Sequence, residues 1–324
     1  MTEQWVEQFD ELEEEKNHDA EVFLAMVFLL FTDSIRQIEK YVAAWFGRYG
    51  EMTPQDARRT LTPVERKEFQ LTVKGYIADG INDKWVRKLE HLQSKMRVSR
   101  LDVLTVQVQH TLEKLFGEYS KEIDNFMFEL YVDQHNHVLF ELAKGVGKSK
   151  VFEKVDMDKL RKLLGDSWAV DGKTYSARIW ENKTKLMNEI DNVIGKGLIR
   201  GDSCDTMTRE IAKRMNVSYS NAERLVKTES AFISSEAERE AYKKFGVKRY
   251  QYIAIRDNRT SEICRYMDRR VFLVSEMKVG LNAPPLHCYC RSTTCPYFDE
   301  SDTFDGKTVN TGMTYEQWEQ MFLK

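Results

Sequence analysis

Between Val64 and Ala283 the sequence contains no proline, although prolines stand at positions 54, 63, 284, 285 and 296. Proline inside a helix removes a backbone hydrogen bond and clashes with the preceding turn, so this stretch permits a long succession of helices. Within it, Leu101, Leu104, Val108, Leu112 and Leu115 recur at threes and fours, the spacing of one buried helix face. The expected fold is therefore α+β and predominantly α. Helices are expected over Asp19 to about Trp45, Pro63 to Tyr76, Asp83 to Met96 and Ser99 to about Lys144, as an elongated antiparallel N-terminal bundle. The acidic leader before Asp19 is expected to be a solvated helix or tail.

A chain of 324 residues exceeds the usual size of one domain, so two units are expected. The glycine-containing run Lys144 to Lys150 follows the long helical periodicity and marks the expected boundary. That divides the chain into a helical domain (1–148), a smaller mixed domain with a short β-sheet (149–298) and a tail (299–324). Gly147-Lys148-Ser149 superficially matches the end of a phosphate-binding loop. Position 142 is Leu where that loop needs glycine, and a helix precedes it where a buried strand is required, so a linker is the better reading.

In the second half, a helix is expected from Asn182 to Gly195 and another from Asp205 to Met215. Ser220-x-x-Glu223 reads as a capping box opening a third, which ends near Phe245-Gly246. Beyond it, Val247 to Ile255 and Arg270 to Val274 are β-like and predict a small sheet.

With 49 basic and 52 acidic residues the net charge is -3, which gives no global electrostatic case for nucleic acid or an anionic membrane. The apolar run Val22–Phe31 is too short to span a bilayer, and the acidic start lacks the pattern of a secretory signal, so no membrane partner is expected. A local basic patch does exist: Lys248, Arg249, Arg259, Arg265, Arg269 and Arg270 lie close in sequence, with Tyr250 and Tyr252 interleaved. Such a patch is compatible with phosphate contact. The plainer reading is a charged face with ion pairs to Asp257, Glu262 and Asp268.

Two further constellations carry chemistry. Glu229 falls on the apolar stripe of its own helix, four residues from Leu225 and from Ile233, and a carboxylate there needs a charged or backbone partner. A structural pairing is favoured over catalysis, because no His, Ser or second carboxylate is placed by sequence to share a reaction. The other constellation is a thiol and imidazole cluster. Four of five cysteines, Cys264, Cys288, Cys290 and Cys295, lie in one short region with His287, a distribution suited to metal or local thiol chemistry more than to disulfides. His287-x-x-Cys290 has the spacing of paired zinc ligands, and Cys264 could supply a third. Position 261 is Ser where a Cys-x-x-Cys knuckle would place Cys, which leaves Cys288, Cys295 or no metal at all. Reduced cysteines packed in a core are the competing reading.

The order Lys227-Thr228-Glu229, Gly246, Asp257-x-Arg259-Thr260-x-x-x-Cys264, Asp268 and Pro284-Pro285-x-His287-x-x-Cys290-Arg291-Ser292 resembles the Mu F-like phage head morphogenesis, or minor head protein, family. The resemblance covers roughly Asn182 to Phe298. It implies a minor capsid component of the virion that associates with the portal during procapsid assembly, with major capsid or scaffolding protein and phage DNA as further expected partners. It implies a place inside the head near the portal, in the host cytoplasm during assembly, and no established catalytic activity. Relatives often carry Cys at the position of Ser261 and Pro after the His, and here Ser261 and Cys288 depart from that pattern. Two alternatives belong to other classes: a zinc- or thiol-dependent hydrolase using Glu229, His287 and Cys290, or a nonspecific DNA-binding module.

Overall fold

Helix starts are written locally in this chain. Thr62 and Glu65 form a reciprocal capping box with Pro63 in the first turn, and Thr314 and Gln317 repeat the device near the C-terminus. Ser99 Oγ accepts from Asp102 N while Ser99 N donates to the Asp102 carboxylate, each exchange satisfying donors that a helix end leaves open. The computed structural model describes residues 2–50 and 53–324. Its helices, in order, are α1 (Thr2–Tyr49), α2 (Pro54–Ala57), α3 (Pro63–Ala78), α4 (Asp83–Ser94), α5 (Arg100–Val146), α6 (Met157–Gly165), α7 (Tyr175–Arg200), α8 (Cys204–Phe245), α9 (Glu262–Met267) and α10 (Tyr315–Phe322). The strands are β1 (Lys148–Ser149), β2 (Arg249–Ile253), β3 (Val271–Leu273), β4 (Thr293–Tyr297) and β5 (Lys307–Thr308). The protein is thus α+β and predominantly α.

The helices expected in the N-terminal half match α3, α4 and α5 to within a few residues. Three expectations are corrected. The acidic leader is the start of α1 and is not wholly solvated: Glu3, Glu7, Glu11 and Glu14 are exposed, while Trp5, Val6, Phe9 and Leu12 are buried on the opposite stripe. Gly195 and Gly197 do not end α7, which continues to Arg200 and stops at Gly201, whose φ of 72° suits glycine. Ser220 and Glu223 form no cap. One helix, α8, runs through both, and Ser220 Oγ donates to the Asn216 carbonyl inside it. The start of α8 is held by Ser203, whose Oγ accepts from Thr206 N.

Contacts divide the chain into two units. One comprises the chain up to Leu24, Ile123–Tyr175 and Glu223–Lys324, and the other comprises Ala25–Glu122 and Ser176–Ala222. The divisions fall within long helices. Around that position Gly147 (φ 73°) turns the chain into β1, which pairs antiparallel with β5. Residues 299–324 pack: Trp318 and Phe322 are fully buried, Trp318 Nε1 donates to Ser149 Oγ, and Phe152 N donates to the Phe322 carbonyl.

The first unit has its core around Trp5, Phe9, Leu139, Tyr242, Tyr250 and Trp318. Its three-stranded antiparallel sheet has the order β3-β2-β4, with Tyr250 opposite Phe272 on one side and Pro296 on the other. The strand β4 was not expected. The second unit has a core around Phe69, Val73, Trp85 and Leu89. No described helix is long and apolar enough to cross a membrane.

Candidate metal centre and the motif residues around it

The candidate site is built from α9 and the loop that follows Pro285, both in the first unit. Ser261 caps α9, its Oγ accepting from Cys264 N at 3.3 Å, and this holds Cys264 in the first turn with its side chain inward. Cys264 Sγ lies 3.2 Å from His287 Nε2 and 3.7 Å from Cys290 Sγ. The three ligand atoms are all within 4.8 Å of one another, and Cys264 and Cys290 are buried. His287 Nδ1 sits 2.7 Å from the Cys288 carbonyl oxygen. A carbonyl can only accept, so Nδ1 carries a proton.

Sequence reading did not include Tyr252, which points from β2 into the same cluster. Its hydroxyl lies 3.3 Å from Cys264 Sγ and 3.9 Å from Cys290 Sγ. Strand alternation placed Tyr250 and Tyr252 on one face but could not say what that face would meet. The Cys290 thiol, with Ser261, Ser292 and Tyr252, donates toward Cys264 and brings its pKa down to about 4. The hydrogen bond to Cys264, followed by burial, pushes Cys290 upward.

Neither cysteine held open as a fourth ligand joins the cluster. Cys288 is exposed, and Cys295 lies in β4 within the apolar core of the first unit. Burial pushes the Cys295 thiol up to about 12. His287 and Cys288 do not form a dyad: the contact between the two residues is the imidazole on the Cys288 carbonyl.

The remaining motif residues brace this loop. Asp257 accepts from Arg259 N and Thr260 Oγ1 and receives Arg291 Nη2 on both carboxylate oxygens. The single Thr260 hydroxyl proton is shared between that carboxylate and the Ile255 carbonyl. Asp268 accepts from Ala254 N at 2.9 Å and pairs with Arg256, closing the segment between β2 and β3. The peptide bond before Pro285 is cis. On α8, Lys227 pairs with Glu223, and Thr228 Oγ1 donates to the Arg224 carbonyl and accepts from Tyr289 N. Glu229 is buried and accepts from Trp168 Nε1 at 2.8 Å. The sequence predicts an Arg, Lys or backbone donor there. The Trp168 indole N–H gives that carboxylate a neutral donor, one with no competing acceptor of its own.

Most side chains of the basic patch have partners within the protein. Lys248 and Arg249 pair with Asp302, Arg249 also with Asp299, and Arg259 lies 3.6 Å from Asp257. Arg265 donates to the Asp257 carbonyl, and Arg270 stacks over the Tyr266 ring at 3.5 Å. Arg269 has φ 64°, and its carbonyl accepts from Gln251 Nε2.

Fold and site together define a predominantly helical α+β protein. Its motif residues brace a loop that carries a buried thiol–imidazole cluster. Residues 188–295 match the family described as Phage Mu protein F like protein, so the chain carries a Mu F-like region, consistent with a phage head protein. That region contains the three cluster residues, Asp257, Asp268 and the Lys227-Thr228-Glu229 segment. No curated protein and no solved structure matches the chain.

Proposed function

We propose that this protein is a minor structural component of a tailed-phage head that associates with the portal during procapsid assembly and remains inside the virion near it. What carries the reading is the Mu F-like match over residues 188–295, together with the way the residues of that pattern are used. Asp257, Thr260, Asp268, Thr228 and Arg291 all hold one loop system in place through hydrogen bonds. Glu229, the carboxylate a hydrolase would need beside His287 and Cys290, is hydrogen-bonded to Trp168 and is not among the groups of the cluster. Motif residues occupied in this way fit a region selected for shape, and shape is what an assembly partner reads.

The test is co-expression with the portal protein encoded beside it in its source genome, followed by size exclusion with light scattering. A complex that co-migrates at a defined mass is the expected result. Separate elution of two folded proteins would overturn portal association.

A further inference from the structure

The thiol–imidazole cluster is not used by the head-assembly reading and stands independently of it. We propose that Cys264 Sγ, His287 Nε2 and Cys290 Sγ bind one Zn²⁺, with a water molecule as the fourth ligand. In tetrahedral zinc sites Zn–S bonds are about 2.3 Å and Zn–N bonds about 2.0–2.1 Å, which sets two sulfurs about 3.8 Å apart and sulfur from nitrogen about 3.6 Å apart. The observed separations are 3.7 Å and 3.2 Å, and all three ligand atoms lie within 4.8 Å of one another, so the ion fits with side-chain shifts on the order of an ångström. Two thiols sharing a proton would need no third group, yet here an imidazole nitrogen converges on the same point.

The tautomer agrees. A histidine ligand usually donates its other ring N–H to an oxygen, which fixes the ring and raises the basicity of the ligating nitrogen. His287 Nδ1 on the Cys288 carbonyl is that arrangement. Tyr252 supplies a hydroxyl that can donate to the thiolate sulfurs, and such outer donors stabilise metal-bound thiolates. The fourth protein ligand is missing for a structural reason: the residue three before Cys264 is Ser261, and its Oγ is engaged as the α9 cap. Cys288 is exposed and Cys295 lies in β4 within the apolar core. Bound zinc would pin α9 to the loop carrying His287 and Cys290.

The experiment measures zinc in the purified full-length chain by mass spectrometry after loading with Zn²⁺ and gel filtration. About one equivalent is expected in the parent and in Cys288→Ser, falling below about a tenth in Cys264→Ser and Cys290→Ser. Circular dichroism on the same samples reports whether each variant is folded. Because a cysteine loss could unfold the loop, Ser261→Cys supplies the opposite test. It completes a Cys-x-x-Cys pair and should slow zinc transfer to a chromogenic chelator by at least about tenfold. Loading the metal-free chain with Co²⁺ should give a thiolate-to-cobalt absorption band that is lost in Cys264→Ser and in Cys290→Ser. The proposal is overturned if the folded parent takes up no stoichiometric zinc, if Cys264→Ser retains it, or if Cys288→Ser loses it.

Discussion

Arg291 holds Asp257 with a single guanidinium nitrogen, Nη2 lying 2.7 Å and 2.8 Å from the two carboxylate oxygens. The pair joins the turn after β2 to the residue directly following Cys290, bridging 34 positions of sequence. The Arg291 guanidinium holds the Asp257 carboxyl well below the ordinary carboxylate range, assisted by Arg259 N and Thr260 Oγ1.

Asp257→Ala removes the acceptor of all three donors at once and should loosen the 257–265 turn while leaving the sheet intact. Hydrogen exchange read by mass spectrometry should show severalfold faster exchange there, with β2 amides unchanged. Asp257→Asn keeps one acceptor and should fall in between. Unaltered exchange in the alanine variant would show that the turn is held by other contacts.

Glu238 is a buried carboxylate in the first unit, 1% exposed, accepting from Gln134 Nε2 of α5 and from Thr293 and Thr294 of β4. Burial raises its pKa from 4.5 to about 7, with Glu13 of α1 adding to the rise and Lys16 opposing it. The fold therefore favours the protonated acid. Its contribution is complete below about pH 4.5 and is lost as pH rises through about 7. Glu238→Gln keeps a neutral group of the same shape, so at about pH 8 it should be more stable than the parent by about 1–3 kcal/mol, and the two should converge near pH 5. Denaturant midpoints at both pH values check this. A glutamine variant that is weaker at pH 8 would mean that the charged form is the one the site prefers.

Helices were legible in the sequence wherever local signals and burial agreed, as for α3 and α4, whose caps and apolar stripes coincide. The strand β4 was not legible, because Thr293-Thr294-Cys295-Pro296-Tyr297 lacks alternation and contains a proline. It forms as an edge strand, where a missing N–H is tolerated. At the site, Cys264, His287 and Cys290 were legible from spacing. Tyr252 was not, since only the tertiary fold brings β2 under α9. Trp168 as a partner of Glu229 was hidden for the same reason, 61 positions away. Ser220 shows the converse error, a genuine capping pattern overridden by burial along α8: Met215, Ala222 and Val226 continue one apolar stripe through it.

That correction has a measurable sign. If Ser220 were a cap, Ser220→Ala would cost about 1 kcal/mol. In the middle of α8, exposed and bonded to its own helix, the same change should stabilise by up to about half a kcal/mol, because alanine is the better helix former and competes with no backbone group. Chemical denaturation of the two proteins distinguishes the cases, and a loss of stability would restore a break in the helix near 220.

Gly145, in the last turn of α5, receives the Trp5 indole of α1. A Cβ at this position would lie 2.7 Å from Cζ2 and 2.9 Å from Cζ3 of Trp5, and closer still to Cη2. Two effects oppose each other in Gly145→Ala. Helix propensity favours alanine by about 0.5–1 kcal/mol, whereas forcing a packed side chain aside costs about 1–3 kcal/mol. Trp5 cannot swing away freely, since it is only 6% exposed and packs edge-on against Phe298 and beside Phe9. The variant should therefore lose about 1 kcal/mol or more, with a red shift in tryptophan emission as Trp5 is pushed toward solvent. Replacing Trp5 by Leu in the same chain should cancel most of that penalty, because the smaller side chain leaves room for the methyl group. A Gly145→Ala protein that equals or exceeds the parent in stability would mean that the start of α1 moves aside at little cost, and that the first turns of α1 are not fixed by this contact.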